Sequence, residues 1–484
     1  MQKKQLFIYT LVLVLCISTS CKKYLEKPPD NRAELNTPEQ VAQLLSTAYP
    51  QANYMSFFES MSDNVDDKGA GDLENTNVDP YFFRDVRDDQ QDSPEYYWDA
   101  CYAAIAAANQ ALEVCEKAAN KSAYNSEKGE ALLARAYAHF MLVNVFSKVY
   151  DANSSATDPG IPYVTVPENI VMKQYERKTV SYVYDMIEKD ITAGIPLLDD
   201  TRYAVPRYHF TTAAAHAFAA RFYLFKKDYT KVVEHANQVL SGNVTALLRP
   251  WNTTYTSITY LELYARYARA TEPANLLLVE TASWWARNYF RVRYGLTSGK
   301  RDEILRRNVT GGNWAFNFQV FTAGTDNYLL PKINEHFVRS SINADIGVGY
   351  VVVPILTTEE VLFNRIEANA YLNNTTAALA DLNTYASTRI ANYDASQHVI
   401  NATKIRNYYG TSNLQNGILS TLFGFKRAEY VQEGMRWLDL IRYKAPVTHY
   451  TTNGDILILG EDDPRRVFQL PQSAELAGLK LNPR

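Results

Sequence analysis

Four sets of residues in this chain have types and spacings that could do chemistry. Near the C-terminus, Glu429, Glu433, Arg436, Trp437, Asp439 and Arg442 stand close together. Acid, base and indole at such spacing can serve catalysis. Here they alternate with Phe425, Tyr430, Leu438, Leu440 and Ile441, which reads as ion pairs built into a packed interior. Removing one partner of a buried pair is costly, so such charges are structural. A second set, Asp63 to Asp92, is acidic. Asp63, Asp67, Gly69 and Glu74 approach calcium-loop spacing, but Lys68 stands at the sixth position, where the loop needs glycine, and Val65 at the third. A solvated loop is expected there. His209 and His216 are seven residues apart with no His-Glu-x-x-His and no cysteine cluster, so no metal centre is expected. No Gly-x-Ser-x-Gly and no glycine-rich phosphate cradle occurs. A glycosidase needs two carboxyls roughly 5 to 9.5 Å apart in a cleft, which spacing alone does not reveal. Neither catalytic residues nor cofactors are assigned.

The fourth set is aromatic. Phe57, Phe58, Tyr81, Phe82 and Phe83 precede a long helix, and Trp284, Trp285, Tyr289 and Trp314 fall in a polar, irregular region. Flat rings flanked by Asn, Asp or Arg complement a sugar, whose C–H face is apolar and whose rim is hydroxyl. The same rings can equally be wedges between packed helices.

These residues must be held by the elements around them, and the helical period dominates the chain. Thr37 and Pro38 open one helix and Ser93 and Pro94 another, each as cap and first-turn proline. Trp98, Tyr102, Ile105, Asn109 and Leu112 form one stripe of the second. Residues 56–92 read as loop. Two helix pairs of about 34 residues, turning near Lys227-Asp228 and Asn373-Asn374, have the alanine and tyrosine placement of tetratricopeptide repeats. Between them, residues 243–356 lose the period, and "NLLLVETASWW" and "GYVVVPI" read as short strands. Cys101 and Cys115 lie roughly 21 Å apart along one helix, beyond disulfide reach, and read as buried hydrophobes.

The chain opens with Lys3, Lys4 and an apolar run from Leu6 to Ile17, which reaches roughly 18 Å as a helix and is too short to span a bilayer. Charge, apolar run and the small residues Ser18 to Ser20 have the layout of a secretory signal. Cys21 directly after them resembles a bacterial lipobox cysteine, the site of lipidation. Pro28 and Pro29 make the following stretch a stiff tether. A formal charge of −4 argues against a nucleic-acid partner, which would want a basic face.

Taken in order, these stretches resemble the SusD/RagB family of nutrient-uptake outer-membrane lipoproteins. They are the lipobox and prolyl tether, "FFESMSDN", "WDACYAAIAAANQAL", "GEALLARAYAHFMLVNVFSKV", "GIPYV", "RIEANAYL", "FKRAEYVQEGMRWLDLIRYK" and "FQLPQSAELAGLKLNPR". The resemblance implies a mainly α fold, a tetratricopeptide-like helical-pair scaffold with an inserted irregular lobe. Residues 1–20 would be the signal, 21–35 the lipidated tether, and 36–484 one SusD-like domain. Its scaffold would be 36–56, 93–242 and 357–445, with the lobe at 243–356. The implied function is non-enzymatic. A lipoprotein of the outer-membrane surface binds an oligosaccharide, or another oligomeric nutrient, and delivers it to a TonB-dependent, SusC-like transporter. By the placement of family ligand loops, Asp79, Arg84, Trp98, Trp285 and Trp314 are the expected ligand contacts. The rival expectations are a surface glycoside hydrolase and a repeat scaffold whose only ligand is the transporter.

Overall fold

The computed structural model describes residues 35–168, 174–324 and 326–484. Cys21 and the signal therefore lie outside the described residues. The helix Asn125–Phe146 is the axis of the N-terminal half. Its residues are buried almost all round, with alanines and large apolar side chains on every face, as befits a helix surrounded by others. Pro94–Lys117 packs on one side and Val180–Gly194 on another. The second contact is close because Gly129 faces Gly194. A Cβ on either would come within 2.9 Å of the other's carbonyl oxygen.

The start of the Trp98 helix is as expected: the Ser93 hydroxyl accepts the Tyr96 N–H, and Pro94 occupies the first turn. Both repeat-like pairs are present. Thr212–Lys226 turns into Tyr229–Val239 through Lys227, and Thr358–Tyr371 turns into Thr375–Arg389 through Asn373. Lys227 and Asn373 both adopt positive φ, at +62° and +59°, the left-handed residue that reverses a chain after a helix. The two pairs pack on each other through Thr358–Tyr371.

Residues 243–356 hold the expected strands, and short helices besides. Asn275–Ala282 pairs antiparallel with Gly347–Thr357, from Asn275 opposite Thr357 to Ala282 opposite Tyr350, and Glu335–Arg339 completes a three-stranded sheet. The helices Tyr260–Tyr267 and Ser298–Leu305 add to the expected loops and sheets.

The C-terminal charged set is buried and paired. Arg389 sits between two acids, Nε 2.7 Å from Glu429 Oε2 and Nη2 2.9 Å from Glu359 Oε1. Glu359 also holds Arg249 at 2.9 Å, and Glu433 holds Lys332 at 2.8 Å. Arg249 and Lys332 belong to residues 243–356, so these ions tie that region to the helices. Arg436 grips Asp63 through two bonds of 2.7 and 2.9 Å, and Arg442 grips Glu367 through two of 2.8 Å. Among the described residues no helix is long and apolar enough to cross a membrane.

One expectation needs correction. Residues 56–92 are not simply loop: Met55–Met61 and Asn75–Tyr81 are helices. Phe57 and Phe58 are consequently buried against Phe468, with centroids 5.0 and 5.9 Å away. Tyr81 is stacked between Tyr294 at 3.9 Å and His449 at 4.2 Å. Two adjacent phenylalanines carry no readable period, and tertiary packing decides the conformation.

Candidate functional site

Residues 82–92 form an exposed loop fastened at both ends. Phe83 and Asp92 have positive φ, +53° and +69°, conformations that persist in non-glycine residues only when surroundings impose them. At the first end the imposing group is Asp79. Its carboxylate is fully buried and accepts the Arg87 backbone N–H at 3.0 Å, Arg87 Nε at 3.0 Å and Arg87 Nη2 at 2.8 Å. The Asp79 carbonyl accepts the Arg84 N–H, and the Arg84 guanidinium lies 4.7 Å from the Phe82 ring centroid.

At the other end stands Asp92. It accepts the Ser283 hydroxyl at 2.6 Å through Oδ1 and the Trp284 backbone N–H at 2.7 Å through Oδ2. Only 5% exposed, its carboxyl is pushed up to about 6 by burial. Ser283 Oγ in turn accepts the Trp285 N–H at 3.0 Å. This chain of bonds shapes the end of the strand Asn275–Ala282 and sends two adjacent tryptophans opposite ways. Trp285 turns inward, its Nε1 donating to the Gln432 carbonyl at 3.1 Å. Trp284 turns outward and is 39% exposed. Around it, Glu74, Asp88, Gln91 and Asn288 rim a shallow depression of about 20 Å3 with Ser56, Thr76 and Val292 in its wall. A ring with carboxylate and amide groups beside it can hold a hydroxylated ring by stacking and hydrogen bonds.

Of the five expected contacts, Trp285 lines this depression, while Asp79 and Arg84 stand at the opposite end of the 82–92 loop. Asp79 and Trp285 are buried anchors, and Arg84 is the exposed one. Trp98 lies elsewhere, at 4.9 Å from both Tyr102 and Phe146, and lines a separate cavity of about 200 Å3. Trp314 is 1% exposed and packs edge-on against Phe425 at 5.1 Å, so it offers no face to solvent. Trp284 belongs to the aromatic set but not to the five expected contacts, and Asp92, Gln91 and Asn288 were not anticipated at the site. Trp284 had one signal: of two adjacent tryptophans after a strand, side-chain alternation sends one outward. The acids of the calcium-like stretch are engaged otherwise. Asp63 is held by Arg436 and Asp67 by Arg293, and among the described residues no group of three His, Cys, Asp or Glu could hold a metal.

Residues 23–224 match the SusD-like family described as "Starch-binding associating with outer membrane". The whole fold agrees. A SusD superfamily protein from Bacteroides thetaiotaomicron superimposes with a TM-score of 0.69 at 17% identity, covering 93% of this chain and 100% of that one. The fold is SusD-like. A SusD-like carbohydrate binding protein from Bacteroides vulgatus gives a TM-score of 0.64 at 16% identity, over 91% and 96% of the two chains. A laminarin binding SusD-like protein gives 0.62 at 14% identity, over 92% and 97%. No curated protein matches the sequence.

Proposed function

We propose that this SusD-like chain is a surface lipoprotein of the outer membrane that captures an oligosaccharide and passes it to a TonB-dependent, SusC-like transporter without cleaving it. The observation that carries the reading is Trp284, a half-exposed indole fixed by Asp92 and rimmed by Asp88, Gln91 and Asn288. The family description and the carbohydrate-binding and laminarin-binding relatives support a glycan as the ligand. A lipid on Cys21 would supply the anchor, since acyl chains hold a protein at a bilayer without a spanning helix. The depression is shallow, so affinity comes from one stacked ring and a few hydrogen bonds. Such a site binds at roughly micromolar to millimolar strength, about 8 to 4 kcal/mol.

Electrophoresis of the full chain through gels containing laminarin or starch tests this. Retardation by a polysaccharide with no release of reducing ends supports capture without hydrolysis. Release of reducing ends would replace the binder by a glycosidase. Absence of retardation, with the transporter still co-purifying, would leave a scaffold.

A further inference from the structure

A second cavity, of about 360 Å3, opens beside the turn Pro206–Tyr208 and the strand Asn275–Ala282. Its chemistry starts from Glu130, which is fully buried. Glu130 Oε1 accepts the Tyr49 hydroxyl at 2.6 Å and faces His209 Nδ1 at 2.8 Å. The Tyr49 oxygen itself accepts the Phe210 N–H at 2.9 Å, which commits the Tyr49 proton to Glu130. A carboxylate can only accept, so Nδ1 carries the imidazole proton. The ring is further held by stacking on Tyr203, centroids 4.4 Å apart and planes 9° apart. His209 lines the cavity, and among the described residues its Nε2 has no hydrogen-bond partner. In the neutral ring Nε2 is therefore the acceptor, a tautomer fixed by the buried acid on the far edge.

The rest of the wall suits the same kind of guest. Glu280 is exposed, and its Oε1 is 2.8 Å from His336 Nε2, which leaves Oε2 to accept. Gln51 adds an amide. Tyr208 is 38% exposed and presents an aromatic ring, while Leu278 and Val279 make an apolar floor. Two acceptors, an amide, a ring and an apolar floor suit a guest rich in hydroxyl donors with a C–H face, which describes a pyranose.

Glu280 and Trp284 lie four residues apart where the chain leaves the strand Asn275–Ala282, at most about 13 Å at the rise of a strand. We propose that the cavity at Tyr208, His209 and Glu280 is a second saccharide subsite, engaged by an oligosaccharide long enough to reach it while stacked on Trp284. The inference rests on the glycan-binding reading above and adds a length requirement to it. A ligand that engages both places gains effective concentration at the second, so long chains bind more tightly than short ones.

Calorimetric titration of the full chain in detergent with laminaribiose, laminariheptaose, maltose and maltoheptaose tests this. Tyr208→Ala and Glu280→Gln change exposed side chains. Each is expected to lower the heptasaccharide-to-disaccharide affinity ratio by about 3- to 10-fold in the series that binds. Ratios equal to that of the unaltered protein would overturn the second subsite and leave the Trp284 site standing. Disaccharide binding lost in Tyr208→Ala but kept in Trp284→Ala would overturn the Trp284 site and leave a saccharide site at Tyr208. Absence of binding by every sugar would overturn both.

Discussion

Asp92 Oδ2 lies 2.7 Å from the backbone nitrogen of Trp284, joining two segments 192 residues apart in sequence. That bond sets which of two neighbouring tryptophans faces solvent. Asp92→Ala leaves the Ser283 hydroxyl and the Trp284 N–H without their acceptor. A loss of about 1–3 kcal/mol is expected for stranding buried donors, read by urea denaturation. Emission of Trp284 should also become more quenchable by iodide. Unchanged quenching would mean that Asp92 does not hold the indole.

Part of this arrangement was readable in the sequence and part was not. Ser93-Pro94, the turns at Lys227 and Asn373, and both long strands are local signals, and each appears where its residues put it. The pairing of the charges was readable as a class, because acids and bases among large apolar residues must be neutralised. Their partners were not, since Arg389 meets Glu359 and Glu429 across 30 and 40 residues. Trp314 and Trp98 look like ligand platforms when only residue type is seen. Phe425 covers Trp314, and Phe146 packs edge-on against Trp98 beside a separate cavity; neither neighbour is near in sequence. Asp92 escaped notice because its role depends on a strand end that folds against it.

Glu59 makes the protein's stability depend on pH. It is buried, and burial pushes its carboxyl up to about 7, although the Gln432 and Gly434 N–H groups bond to it. The folded state therefore holds this proton more tightly than the unfolded chain. The contribution is fully present below the unfolded value, near 4.5, and is lost as pH rises through 7. The urea midpoint should fall between pH 5 and pH 8. Glu59→Gln should flatten that slope, and an equal slope in both proteins would contradict the assignment.

Arg389 tests the buried ion network. Arg389→Ala leaves Glu429 and Glu359 short of a cation in the interior, and a loss of about 3–5 kcal/mol is expected. Lys117→Ala removes an exposed pair with Glu113 and should cost less than about 1 kcal/mol. Chemical denaturation of both variants checks the contrast.

Two glycines separate close helix approach from mere composition. Gly129→Ala drives a Cβ against the Gly194 carbonyl oxygen, and about 1–3 kcal/mol of destabilisation is expected. Gly424, within the helix Leu414–Glu429, has nothing within 4 Å of an added Cβ. Gly424→Ala should stabilise by about 0.5–1 kcal/mol. Thermal melts of the pair give opposite signs if the helix contact is as described.

The most direct test compares Trp284→Ala with Trp314→Ala in titrations of the full chain with laminariheptaose and maltoheptaose, each variant's melting temperature measured alongside. Trp284→Ala is expected to weaken the sugar at least about tenfold, as loss of an aromatic stack does, with melting almost unchanged. Trp314→Ala should lower the melting point sharply through its cavity. Full sugar affinity in a well-folded Trp284→Ala protein would contradict the account.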